Sequence, residues 1–92
     1  MKTGASVEVK ICGIRTPADY DACRAAGAAF IGMVFFARSP RHLSMEQAAA
    51  LAAHADQFDD GPARVALTVD MDDTALADVV AAARPHYIQL HG

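Results

Sequence analysis

The stretch Val7-Glu8-Val9-Lys10-Ile11-Cys12-Gly13-Ile14 constrains this chain most, because it alternates apolar and polar residues and then runs into a glycine. A period of two puts Val7, Val9 and Ile11 on one face of a strand and Glu8, Lys10 and Cys12 on the other. Just beyond it, Thr16 suits a helix N-cap and Pro17 the first helical position, while Asp19 falls where a carboxylate meets the positive helix end. A strand that ends in a thiol, turns at glycine and enters a capped helix is how an α/β protein presents a side chain at the carboxyl end of a strand.

The same alternation of strand and helix signals continues to the end. Residues 17–26 read as a helix with Ala18, Ala22 and Cys23 on its packing side, and Gly27 is placed for a left-handed C-cap. Residues 30–36 are almost continuously apolar, as in a parallel strand covered on both faces. After the loop Arg38-Ser39-Pro40-Arg41-His42, Ser44 and Gln47 form a capping box for a second helix, with Ala48, Leu51, Ala52, Ala55 and Phe58 as its apolar stripe. Asp59-Asp60-Gly61-Pro62 is a turn, and residues 64–70 alternate as a third strand. Asp72 or Asp73 caps a third helix with the stripe Leu76, Val79, Val80 and Ala83, which Pro85 stops. Residues 87–91 form a fourth strand. The expected order is β-α-β-α-β-α-β with parallel crossovers, an α/β fold.

Within the strands, Val7, Val9 and Ile11, then Val65, Leu67 and Val69, then Ile88 and Leu90 form an apolar parity. The other parity carries Lys10 and Cys12, Thr68 and Asp70, Gln89 and His91. In a barrel the first set would face the helices and the second the interior. A solvated polar side on an open sheet gives the same alternation, but it does not predict polar groups gathered at one strand end, which favours the barrel.

A chain of 92 residues has room for one small domain, and such a chain buries only a modest fraction of its surface. Its net charge of −3 offers no electrostatic footprint for nucleic acid or an anionic membrane. Two cysteines without paired or metal-type spacing argue against a disulfide framework or zinc site and fit a reducing cytoplasm. The start of the chain carries no secretory signal, and the longest apolar run, residues 25–37, is interrupted by Gly27 and Gly32, so a soluble cytoplasmic protein is expected.

Three motifs, Lys10-Ile11-Cys12-Gly13-Ile14, the segment from Phe35 through Ser39-Pro40-Arg41, and Gln89-Leu90-His91-Gly92, occur in one order and spacing. In these the chain resembles the N-terminal half of phosphoribosylanthranilate isomerases, and the resemblance covers essentially all of it. It implies a single domain, the first half of a (β/α)8 barrel spanning residues 1–92. It also implies an Amadori rearrangement of a phosphosugar-anthranilate substrate, without metal or organic cofactor, in tryptophan biosynthesis.

Carried over residue by residue, Cys12 matches the general base, Arg41 the arginine that holds the anthranilate carboxylate, and Gln89 and His91 a strand end beside the substrate. Lys10 and Asp70 are supporting positions. The thiolate is the reactive form of cysteine, and Lys10 and the following helix N-terminus are nearby sources of positive potential. Arg15 and Asp70 depart from the family pattern, which prefers a small polar residue and asparagine there. The family's general acid and phosphate-binding loops belong to later strands. On their own, Cys23 reads as packing, Arg38 as solvated, and His42, His54 and His86 as surface residues without ligand spacing. Two rival readings stand beside the isomerase: a non-catalytic half-barrel that self-associates, and another phosphate-binding barrel enzyme. For the chain by itself the expectation is an inactive species, either a dimer or larger homo-oligomer joined through open sheet edges or else a molten chain that lacks its C-terminal half.

Overall fold

The computed structural model describes residues 8–91; Val7 and Gly92, which the sequence assigns to the first strand and the last motif, lie outside them. Four strands alternate with three helices: β1 (Lys10–Cys12), α1 (Pro17–Ala25), β2 (Phe30–Phe35), α2 (Met45–Ala55), β3 (Ala63–Val69), α3 (Asp73–Ala83) and β4 (Tyr87–His91). All neighbours pair in parallel, in the order β1-β2-β3-β4.

The helix ends follow the local chemistry. At α1 the Thr16 hydroxyl accepts from the Asp19 amide and the Asp19 carboxylate accepts from the amides of Thr16 and Arg15, a capping box beyond the simple dipole contact. Those amide bonds hold the Asp19 carboxyl below the usual carboxylate range. The helix closes with Gly27 donating to the Arg24 carbonyl and Ala28 to that of Cys23. Ser44 and Gln47 form the box at α2, and Asp72 caps α3.

One core lies between the sheet and the helices, built from Ile31, Met33 and Phe35 of β2 with Tyr20, Leu43, Leu51, Ala66 and Val79. On α1 the buried residues are Tyr20 and Cys23, whereas Ala18 and Ala22 are exposed. The large Tyr20 ring, stacked on Phe58 and edge-on to His54, sets which arc of the helix turns inward. On α3, Val79 and Ala83 are buried but Val80 is exposed, since it stands one residue off the packing stripe.

The register corrects one expectation about the strands. Ile11, Ile31 and Arg64 share a row and a face, so the side toward the helices carries Arg64, Ala66 and Thr68 from β3. Val65, Leu67 and Val69 therefore share the other face with Lys10, Cys12 and Gln89, and Thr68 is fully buried among the helices instead of lining the interior. Alternation within one strand says which residues go together; only pairing with neighbours says which side each set takes. Arg64 is accommodated on the helix side because its guanidinium donates to the Ala83 and Arg84 carbonyls at the end of α3, with Asp56 nearby. Burial pushes the Arg64 guanidinium below the usual arginine range, Asp56 opposes this, and the group stays charged. Ile88 and Leu90 lie on the expected side, yet Leu90 is 69% exposed and Ile88 41% because no described helix covers them.

Candidate functional site

The site is built where β1, the loop after β2 and β4 converge. β1 ends in Cys12, and Gly13 follows at φ +82°, a left-handed turn that glycine adopts without strain. The Gly13 amide donates to the Gly32 carbonyl at 2.9 Å, which anchors the turn to β2. Gly13 has a second reason to lack a side chain. A Cβ there would overlap the Arg41 side chain, which lies across the turn.

Arg41 is brought to this position by a tied loop. The Arg41 amide donates to the Ser39 hydroxyl, His42 to the Ser39 carbonyl, and Leu43 to the Val34 carbonyl of β2. Leu43 is fully buried, so the loop is pinned to the core just past Arg41. Arg15 donates from Nη1 to the Pro40 carbonyl at 3.2 Å, and thereby joins the β1–α1 turn to the loop that carries Arg41. Arg15 thus holds the two loops together.

Across the sheet, Lys10 Nζ donates to Gln89 Oε1 at 3.0 Å, although β1 and β4 are the two edges. Four flat strands would set those edges roughly 14 Å apart at the usual strand spacing. The contact therefore requires the sheet to curl. It is also diagonal: Lys10 lies in a register row with Phe30 and Ala63, and Gln89 lies four rows farther along the strands with Val34 and Leu67. Such stagger is that of tilted strands forming a barrel wall. The same stagger sets Cys12 and His91, each two residues beyond, at a common level of the curl. Gln89 Nε2 in turn lies 3.1 Å from His91 Nε2. The concave face below holds a cavity of about 500 Å³ whose lining includes Lys10, Phe30, Val65, Tyr87 and Gln89.

The remaining candidates separate. Asp70 lies just past the end of β3 at φ +48°, not on the interior face of the strand, and its amide donates to the His91 carbonyl at 3.0 Å. Arg38 is exposed. Cys12 is exposed while Cys23 is buried, and burial pushes the Cys23 thiol up, which keeps it protonated and inert. Of the three other histidines, His42 and His54 are partly buried and His86 is exposed. His54 contacts Asp21 at 2.7 Å, His86 Nδ1 accepts from the Arg64 amide, and His42 has a buried Nδ1 without a partner among the described residues. No group of three metal-binding side chains occurs among the described residues. Gly32 went unrecognised as part of the site. It pairs with Cys12 in register, and a Cβ there would lie 2.9 Å from the thiol sulfur. An isolated glycine inside an apolar strand is the signal of such close approach.

A curled, parallel β/α sheet with its polar side chains at the carboxyl ends of the strands defines the wall of a (β/α)8 barrel, seen here over four strands. Residues 9–92 match the family model for N-(5′-phosphoribosyl)anthranilate (PRA) isomerase, and the chain belongs to that family. It is 53% identical over 87 residues to the N-(5′-phosphoribosyl)anthranilate isomerase of Parvibaculum lavamentivorans, covering 95% of this chain and 39% of that one. The Cereibacter sphaeroides isomerase is 50% identical over 88 residues, with 96% and 40% covered. The crystal structure of the Thermotoga maritima isomerase superposes with a TM-score of 0.82 at 31% identity, over 95% of this chain and 41% of that one. A further isomerase structure, in complex with reduced 1-(o-carboxyphenylamino)-1-deoxyribulose 5-phosphate, superposes equally well at 0.82. The chain spans about two fifths of the length of these relatives.

Proposed function

We propose that this chain supplies the first half of a single barrel domain that isomerises N-(5-phosphoribosyl)anthranilate to 1-(o-carboxyphenylamino)-1-deoxyribulose 5-phosphate, a step of tryptophan biosynthesis. The observation that carries the reading is the placement of Arg41 across the Gly13 turn that immediately follows Cys12. An Amadori rearrangement opens the sugar to an imine, removes a proton from the neighbouring carbon and reprotonates to give the ketose. Cys12 is the base for that proton, a role worth roughly 10²–10⁴ in rate. Arg41 offers a planar, two-pronged donor to the anthranilate carboxylate. Gln89 and His91 face the sugar from β4, Lys10 supports them, and Asp70 steadies the end of β4 through its bond to the His91 carbonyl.

The general acid and the phosphate grip are assigned to the remainder of the barrel. Two unpaired cysteines fit a reducing cytoplasm, and no helix among the described residues is long and apolar enough to cross a membrane. The exposed residues of β4 favour closure by a C-terminal half or, failing that, by a second copy.

The test is genetic and enzymatic. The chain is expressed with the C-terminal portion of a relative, in a strain lacking the isomerase, and turnover is followed by loss of anthranilate fluorescence. Restored turnover that depends on Cys12 and Arg41 supports the reading. Turnover indifferent to both residues refutes it.

A further inference from the structure

The contacts along Lys10, Gln89 and His91 have only one consistent assignment of donors and acceptors. An ammonium has hydrogens and no acceptor, so the atom of Gln89 that meets Lys10 Nζ at 3.0 Å is its carbonyl oxygen. That leaves the Gln89 amide nitrogen facing His91 Nε2 at 3.1 Å. An amide nitrogen only donates, so His91 Nε2 is the acceptor and carries no hydrogen. The ring's hydrogen is then on Nδ1, and Nδ1–H is its remaining donor.

We infer that Lys10 and Gln89 are positioning residues that lock His91 as the Nδ1–H tautomer, so that His91 meets the substrate as a hydrogen-bond donor to an oxygen and not as a proton acceptor. This rests on the isomerase reading only for its last clause. It also divides the labour of the site: the one base is Cys12, and His91 orients a hydroxyl or carboxylate oxygen. The relay spans the two edge strands, so it forms only when the sheet is curled. The state of the His91 ring therefore depends on the curl of the sheet.

The tautomer is read directly, without substrate, by long-range proton–nitrogen correlation spectra of the ¹⁵N-labelled chain at a pH where imidazole is neutral. The His91 signals are identified by their loss in His91→Gln, and dispersed backbone amide signals report folding for every variant. The expected result is a predominant Nδ1–H form, the reverse of free imidazole. Gln89→Glu offers an acceptor instead of a donor and should turn the ring to the Nε2–H form. Lys10→Met frees the amide to rotate and should give a mixture. A predominant Nε2–H form in the unsubstituted chain overturns the inference, as does an Nδ1–H form that both variants leave untouched.

The donor role has its own arm in the active isomerase. His91→Asn places an amide nitrogen about where Nδ1 stood and should hold KM near its starting value. His91→Ala should raise KM by about tenfold, the loss of one hydrogen bond. Equal losses for Asn and Ala overturn the donor role. A chain that shows the locked tautomer but supports no turnover when combined with the C-terminal portion of a relative would overturn the isomerase reading and leave the relay standing.

Discussion

Gly32 stands opposite Cys12 in the parallel register, and the missing side chain is what gives the thiol its room: a Cβ at Gly32 would approach Sγ to 2.9 Å and the Cys12 Cα to 3.1 Å. Leu67, from the next strand, closes the same space at 3.1 Å. The position of the Cys12 thiol is thus set by a residue on a different strand.

Gly32→Ala should therefore displace the thiol in the active isomerase. Its kcat is expected to fall by at least about tenfold while KM changes little, since one misplaced reacting group affects the transition state far more than ground-state binding. Steady-state kinetics on the variant, with its melting temperature as a control for folding, check this. An unchanged kcat would mean that Cys12 is not the base or that its placement is loose.

Cys12→Ala removes the base altogether. We expect kcat to drop about 10²–10⁴-fold with nearly unaltered substrate affinity. A raised KM with intact kcat would contradict the assignment.

Arg41→Met should weaken binding instead, by about 1.5–3 kcal/mol for a lost charge-assisted hydrogen bond. Titrations with a carboxylate-bearing product analogue and with its counterpart lacking that group separate the causes. Only the first should lose affinity.

Asp19 gives the fold a defined acid sensitivity. The backbone bonds from Arg15 and Thr16 lower its folded pKa below that of the unfolded chain. Its contribution is accordingly present above the unfolded carboxylate value of about 3.9 and is lost as pH falls through the folded value. Asp19→Asn should cost about 0.3–1 kcal/mol at neutral pH, and the difference from the unsubstituted chain should vanish in acid. Urea unfolding at several pH values measures it.

The exposure of β4 on both faces predicts association. Tyr87, Ile88 and Leu90 are 58%, 41% and 69% exposed beside an unpaired strand edge. Burying a side chain of this kind is worth about 1.5–3 kcal/mol. The chain alone should sediment as a dimer or larger species, and Leu90→Lys should shift it toward monomer. Co-expression with a C-terminal half should do the same.

The caps, turns and element order of this chain were legible in its residues, because each rests on contacts a few positions apart. Thr16 with Asp19, Ser44 with Gln47, and Asp72 at the start of α3 all use side chains that reach only the neighbouring turn. The candidate site residues Cys12, Arg41, Gln89 and His91 were picked out by motifs that resemble a known family, and the structure sets Cys12, Gln89 and His91 on strands and Arg41 in the loop after β2. Tertiary structure alone decided which side of the sheet each strand parity takes. Thr68 and Arg64 went to the helices and Val65, Leu67 and Val69 to the interior, because that choice is set by register with β2 and β4 and not by alternation within β3. It also decided that Arg41 crosses Gly13 and that Lys10 reaches Gln89. Those pairs are far apart in sequence, and they meet only because parallel strands twist, tilt and curl together.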